Sequence, residues 1–474
     1  MSLLQSVRPS PGGKDGDLLS DVSLVSKAQI RVIGFVMGLA AALVGITSVP
    51  GLTFLPSPSL MLIVLAVIIT LLSPAGSTIG RHRLTIIDAA FIATIIARIF
   101  IEVFNAVDLN HAVYSAIAYG QIPVYLMTWP PRLIIRNRDD LGVFLRAFIW
   151  PAALVAIVAL LQLLRFPGVT EWLIANAKSD GLEARVAEGR EDLRATSTIG
   201  HWIYLGGYLA VATAIAGVDL LLNKAANKPR LASAGTMVLL GILLVGQITT
   251  LTFATIAVAL AVVAVIVIRI GIRPIFAILI VASGFIAWSV FGEQLQYRID
   301  YQATTGQYDD PALAWLPSTI AYRLTIWDTE TIPAWLIRPW TGWGMQVYNF
   351  DLNWPQRPQS LAWLSPESQW LSTLITGGLL SLALLIFLLI ATFVTVFRAR
   401  KVLGKALSPV TALLVGLVVA STISSLFTAP GPPMILWGLI GALIPFAQRA
   451  QAGRRLADEE ASGTVVERTS GANA

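Results

Sequence analysis

TFATIAVALAVVAVIVIRIGIRPIFAILIVASGFIAWSVFG, residues 252–292, holds two apolar runs, 252–268 and 274–292, joined by a short link that carries Arg269 and Arg273. A helix crosses the hydrocarbon of a bilayer with roughly 17 to 25 such residues. Each run therefore reads as a membrane span, and the pair as a helical hairpin. The same unit recurs in both directions, with further spans expected near 30–48, 58–73, 85–105, 112–130, 141–164, 199–222, 231–249, 369–397, 408–427 and 431–448. The chain of 474 residues is 56% hydrophobic and only 13% charged, with a mean hydropathy of +0.74. That is more apolar surface than one aqueous core encloses. The expected fold is all-α: a polytopic transmembrane protein of about twelve spans.

Lys and Arg near span ends prefer the cytoplasmic face. Arg81 and Arg83, Arg132 to Arg138, Lys224 to Arg230, Arg269 and Arg273, Arg398 to Lys405, and Arg449 to Arg455 occupy every second connection. The alternate connections 49–57, 106–111, 250–251 and 428–430 contain no Lys or Arg. This alternation puts both termini in the cytoplasm, and it makes the net charge of +6 a matter of topology rather than nucleic-acid binding. The first 27 residues are polar and lack an apolar signal-peptide core, so the first span is expected to act as an uncleaved anchor. A cytoplasmic tail 1–28, a transmembrane domain 29–450 and a second cytoplasmic tail 451–474 follow. With no cysteine, and only His82, His111 and His201, thiol chemistry is excluded and neither a metal nor another cofactor is expected.

Two hydrophilic loops, 165–198 and 293–368, fall on the side opposite the cytoplasm. In the first, LEARVAEGREDLRA (182–195) sets Leu182, Val186 and Leu193 on one helical face, the pattern of an amphipathic helix lying on the membrane. The second is longer than a connector needs, and such loops are usually functional. It carries Trp315, Trp327, Trp335, Trp340, Trp343, Trp354 and Trp363, with Trp370 at the next span's mouth. Trp concentrates at headgroup level, which accounts for some of these. The flat faces of Trp327, Trp340 and Trp343, mixed with Arg, Asp, Glu, Asn and Gln, also suit stacking on sugar rings. Within the third span, Asp88, Arg98 and Glu102 are charges at membrane depth; Arg98 and Glu102 are spaced to form a structural ion pair on one face, the alternative being that they line a groove for the lipid substrate.

Three segments carry a resemblance. RATSTIGHWIYLGGYLA (194–209), YRLTIWDTETIPAWLIRPWTGWGMQVY (322–348) and ESQWLSTLITGGLLSLALLIFLL (367–389) resemble, in that order, the sixth span, the outer-loop signature and the membrane re-entry of the O-antigen ligase and polysaccharide polymerase superfamily. The resemblance implies a GT-C-like helical glycosyltransferase of the bacterial plasma membrane. Its members take a glycan from a polyprenyl-diphosphate-linked donor and transfer it to a glycan or glycolipid acceptor, without metal or nucleotide sugar. Glu367–Ser368 stands where ligases of the family carry a His–Asn or His–Ser pair and polymerases often carry Glu. The resemblance therefore leans toward a polymerase. An arginine typical of the family at the start of LTFATIAVAL (251–260) is absent.

Such a transfer needs positive charge on the departing diphosphate and a base for the acceptor hydroxyl. Arginine forks suit phosphate, so Arg194, Arg323 and Arg338 are the expected diphosphate-binding residues. Glu367 is the expected base, His201 its rival, and Gln369 a candidate for orienting the acceptor. Against an enzyme stands a multispanning carrier or flippase. Major-facilitator carriers join two similar halves by a long cytoplasmic link, whereas the link after the sixth span here is short and the polar mass lies outside.

Overall fold

The computed structural model describes residues 25–47, 56–81, 84–105, 121–177, 179–189, 194–227, 230–271, 274–304, 313–348, 357–362, 365–427 and 431–461. Apart from one isolated β-bridge between Ile46 and Ala177, the described residues are helices, turns and loops. The helices in chain order are α1 Lys27–Ala42, α2 Pro58–Leu72, α3 Ile86–Phe104, α4 Gln121–Leu126, α5 Trp129–Ile134, α6 Arg138–Leu163, α7 Val169–Asn176, α8 Asp180–Ala187 and α9 Trp202–Ala225. They continue with α10 Arg230–Thr249, α11 Phe253–Ile270, α12 Pro274–Ala303, α13 Ser318–Ile326, α14 Ile332–Ile337, α15 Gln369–Leu403, α16 Ser408–Ala420 and α17 Gly431–Ala461. This is a polytopic, all-helical membrane protein.

Five stretches of the described residues are long and apolar enough to cross a membrane: Arg138–Leu163, Trp202–Ala225, Phe253–Ile270, Gln369–Ala420 and Gly431–Arg454. Pro58–Leu72 and Ser233–Thr249 are shorter apolar helices. The fourth expected span, 112–130, lies partly outside the described residues. Its described part is two short helices, α4 and α5, because Pro130 and Pro131 start a new helix after Thr128. α12 runs to Ala303, past the expected end at 292, and leaves a shorter loop.

Local sequence sets the helix starts. Ser26 with Gln29, and Thr85 with Asp88, close reciprocal capping boxes at the heads of α1 and α3. α9 is the central rod, buried along its whole apolar length and packed by α6, α10, α11, α16 and α17. Small residues permit that density. A methyl group at Gly206 would strike Thr255, and one at Gly207 would strike Pro432, so the Gly206–Gly207 pair serves close helix approach.

The described amphipathic helix is α8, which ends at Ala187, and Leu193 lies outside the described residues. Leu182 is fully buried against Leu173, Ala177 and Ile46, while Val186 is exposed. Leu182 thus fastens the helix to the bundle.

The charges of α3 separate into two kinds. Asp88 accepts from Arg132 Nη1 at 2.8 and 2.9 Å and from the Tyr125 hydroxyl at 2.9 Å, besides capping its own helix through Thr85. The expected Arg98–Glu102 ion pair is not formed. Glu102 turns instead to the backbone N–H of Met345, whose donor reaches Oε1 at 2.7 Å.

Candidate active site

The segment 194–201 is folded into the loop-bearing end of the bundle. Gln162, near the end of α6, accepts from the backbone N–H groups of Thr196 and Ser197 at 2.9 and 3.0 Å. The Ser197 hydroxyl donates to the Val155 carbonyl at 2.8 Å, and Ala195 N–H donates to the Thr249 carbonyl at 3.1 Å. Ser197 itself sits at φ 48°, a left-handed conformation costly for a residue with a Cβ. So many ties fix Arg194, which is buried with its guanidinium 5.2 Å from the Trp202 ring. Arg185 faces the same indole at 4.7 Å.

His201 caps α9 just outside the span, its Nδ1 accepting from Ile203 N–H at 3.2 Å. Its ring lies against Trp202 and Tyr204, with centroids 4.1 and 4.7 Å away. Burial, and then the positive charges of Arg194 and Arg185, pull its pKa from 6.5 down to about 3. The one basic lone pair of the neutral imidazole is thus engaged by the head of α9.

The second rim is built from α13, the turn after it and the segment entering α15. Trp327–Thr331 is one turn of π-helix between α13 and α14, a rare geometry that recurs at functional sites. It turns the Trp327 indole so that Nε1 donates to the Pro366 carbonyl at 2.7 Å. One turn earlier, Arg323 donates from Nη1 to the Thr319 carbonyl at 2.6 Å and from Nη2 to the Glu367 carboxylate. Glu367 adopts φ 49°, so its partners hold it in an intrinsically unfavourable conformation. Both members of this ion pair remain partly accessible.

α15 is broken at Gly378, whose φ of 62° and ψ of −164° interrupt the helix. The loop around Gly342 repairs the break. Trp343 and Gly344 N–H groups donate to the freed carbonyls of Ile375 and Thr376 at 2.8 and 3.0 Å, and the freed N–H groups of Leu379 and Leu380 donate to Pro339 and Trp340 at 2.8 and 3.2 Å. A membrane helix can be interrupted only where other protein groups satisfy the backbone in this way. The glycines are mutually required: a methyl at Gly342 would meet the backbone at 375–378, and one at Gly378 would meet that of Trp340. The Gly377–Gly378 pair therefore makes a backbone junction, not a helix-packing face.

Residues 235–386 match the O-antigen ligase family. No curated protein matches the chain. The matched stretch contains Arg323, Trp327, Arg338, Trp340, Trp343, Glu367, Gln369 and the break in α15, whereas Arg194 and His201 precede it.

Within the matched stretch, Arg338 donates to the side-chain oxygen of Asn105 and lies 4.2 Å from the Trp343 ring. Trp343 is buried, with its indole N–H given to the Ala334 carbonyl at 2.9 Å. It anchors the junction through that bond and its burial. Trp340 is 69% exposed and keeps its ring available. Gln369 is buried, with Oε1 accepting from Phe427 N–H at 2.8 Å and Nε2 donating to the Thr373 hydroxyl at 3.2 Å. It clamps α15 to the turn before α17. Trp354 and Trp363 lie outside the described residues.

Beside the junction, α3, α15 and α17 enclose a cavity of about 110 Å³. Gln369, Thr373 and Thr376 line it near the loop-bearing end, and Leu385, Leu388 and Leu389 line it deeper along α15. Gln162, Asn105 and Thr319 position the candidate residues and were not singled out in the sequence. Gln162 alone left a trace there, as an amide interrupting an apolar run.

Proposed function

We propose that the protein is a metal-independent glycosyltransferase that lengthens a cell-surface polysaccharide. In this reading the chain crosses the bacterial plasma membrane about twelve times, with both termini in the cytoplasm and the chemistry outside. The donor is a glycan on a polyprenyl diphosphate, and the acceptor is a sugar of a second lipid-linked glycan. The observation that carries the proposal is the contact of Arg323 with Glu367, a phosphate-binding group touching a carboxylate at the mouth of α15. When the donor's diphosphate draws the Arg323 fork to itself, the Glu367 carboxylate is released to act. The acceptor oxygen then bonds to the anomeric carbon as the bond from that carbon to the diphosphate oxygen breaks. The acceptor proton passes to Glu367, and the lipid diphosphate leaves with charge offset by arginine. In this reading Arg194 and Arg338 supply further positive charge for the diphosphate, and the exposed ring of Trp340 offers a surface for sugar stacking.

Glu367→Gln is expected to lower transfer by roughly 10² to 10⁴, the usual worth of a general base. Purified protein with polyprenyl-diphosphate-linked donor, read by mass spectrometry, tests this. Near-normal turnover by Glu367→Gln removes the carboxylate from the mechanism. The match to the O-antigen ligase family favours a second reading, transfer of a finished glycan to a glycolipid. A ladder of repeats marks the polymerase and a single transfer to a distinct lipid marks the ligase. Translocation in proteoliposomes with no new glycosidic bond points to a carrier.

A further inference from the structure

The cavity between α3, α15 and α17 contains charge that the proposed transfer does not use. Arg98 lines it with Nε and Nη2 buried and unpartnered. These two atoms form one edge of the guanidinium, the edge that grips a phosphate or carboxylate with two parallel bonds. Glu102, fully buried, also lines the cavity and keeps Oε2 without a partner while Oε1 holds Met345 N–H. A fork for an anion therefore stands beside an acceptor for a hydroxyl. Around and below them the walls are hydroxyls and then hydrocarbon: Thr373 and Thr376, followed by Leu385 and Leu388, with Phe91 and Trp437 opposite. The Glu102 carboxylate offsets the charge of Arg98 without bonding to it; buried polar atoms left without hydrogen bonds are costly, and ionisable groups at membrane depth that face a cavity commonly mark a ligand path.

We propose that this cavity is a binding site for the phosphate group of a membrane lipid, distinct from the rim that holds Arg323. Arg98 grips the phosphate, Glu102 accepts from a hydroxyl beside it, and the hydrocarbon chain runs along the leucines of α15. The lipid class rests on the function proposed above; the site itself does not require turnover. In a polymerase with two lipid-linked substrates, the cavity would hold the lipid that is not reacting at Arg323.

Thermal unfolding of the purified full chain in detergent, titrated with farnesyl phosphate or inorganic phosphate, tests the site. Farnesyl phosphate raises the Tm of the wild type, and Arg98→Met weakens that binding roughly ten- to hundred-fold, as the loss of charge-assisted hydrogen bonds implies. The Arg194→Ala/Arg323→Ala double variant keeps the response. A response to inorganic phosphate as well supports the site and assigns recognition to the anion; a response to the lipid alone assigns it to the headgroup with its chain. No response in the wild type, or one kept by Arg98→Met and lost in the double variant, overturns the proposal. Glycan transfer is assayed separately. Arg98-dependent binding without any transfer leaves this site standing and removes the proposed function; transfer with Arg98-independent binding does the reverse.

Discussion

The two ends of α3 hold buried charge in opposite ways. At its start Asp88 meets Arg132, Tyr125 and Thr85, so that both carboxylate oxygens are bonded and the helix is locked to α4 and α5. Three turns on, Arg98 and Glu102 share a helix face without pairing, and each keeps unpartnered side-chain atoms at a cavity. A satisfied buried pair holds a fold together, and breaking it leaves an uncompensated charge. Charge left unsatisfied in a folded protein has another use, and here it lies beside the junction that carries the candidate active site.

Substitutions at the two ends should separate these roles. Asp88→Ala removes the carboxylate that Arg132 and Tyr125 bond and is expected to cost about 3–5 kcal/mol, seen as loss of folded protein after detergent extraction. Equal yield and Tm would show that the locked end is not structural. Gly378→Ala places a side chain in a left-handed position against Trp340, a strain of about 1–3 kcal/mol before any clash. It should lower Tm and disable transfer together, because the junction positions the entry to α15. Glu102→Ala forfeits a charge-assisted bond to Met345 worth about 1.5–3 kcal/mol, whereas Glu102→Gln keeps an acceptor and should unfold close to wild type. Arg98→Met removes a guanidinium that makes no ion-pair contact with Glu102 and should lower the Tm of the unliganded protein by less than Asp88→Ala does. A marked fall in Tm would make that end structural too and erase the contrast.

His201 adds a test that appears only on acidification. Its folded-state pKa of about 3 lies below the ordinary 6.5, so the unfolded chain takes up the proton first as pH falls. The stabilisation from a neutral His201 is complete above about pH 6.5 and lost progressively down to about 3. His201→Gln should flatten that limb of a Tm-against-pH curve.

Apolar run length marked where most helices lie, because lipid requires each span to bury its own backbone within one continuous segment. Charge spacing was less informative. Arg98 and Glu102 stand four apart, as a helical ion pair does, yet Glu102 is taken by a backbone N–H more than two hundred residues away. The tryptophans divide for a similar reason. Trp327 and Trp343 spend their indole N–H groups on distant or buried carbonyls, while Trp340 stays open, and no local pattern distinguishes the three.

The sequence by itself determined that this is a helical membrane protein, and that residues such as Arg323 and Glu367 have side chains suited to phosphate binding and proton transfer. Those properties follow from hydrophobicity and side-chain type, which are local. Tertiary structure alone decided that Arg323 meets Glu367, that Gly378 breaks α15 where the Gly342 loop can repair it, and that one edge of the Arg98 guanidinium is buried at a cavity without a hydrogen bond. These are matters of which backbone and side-chain groups satisfy one another across long separations, and only packing settles that.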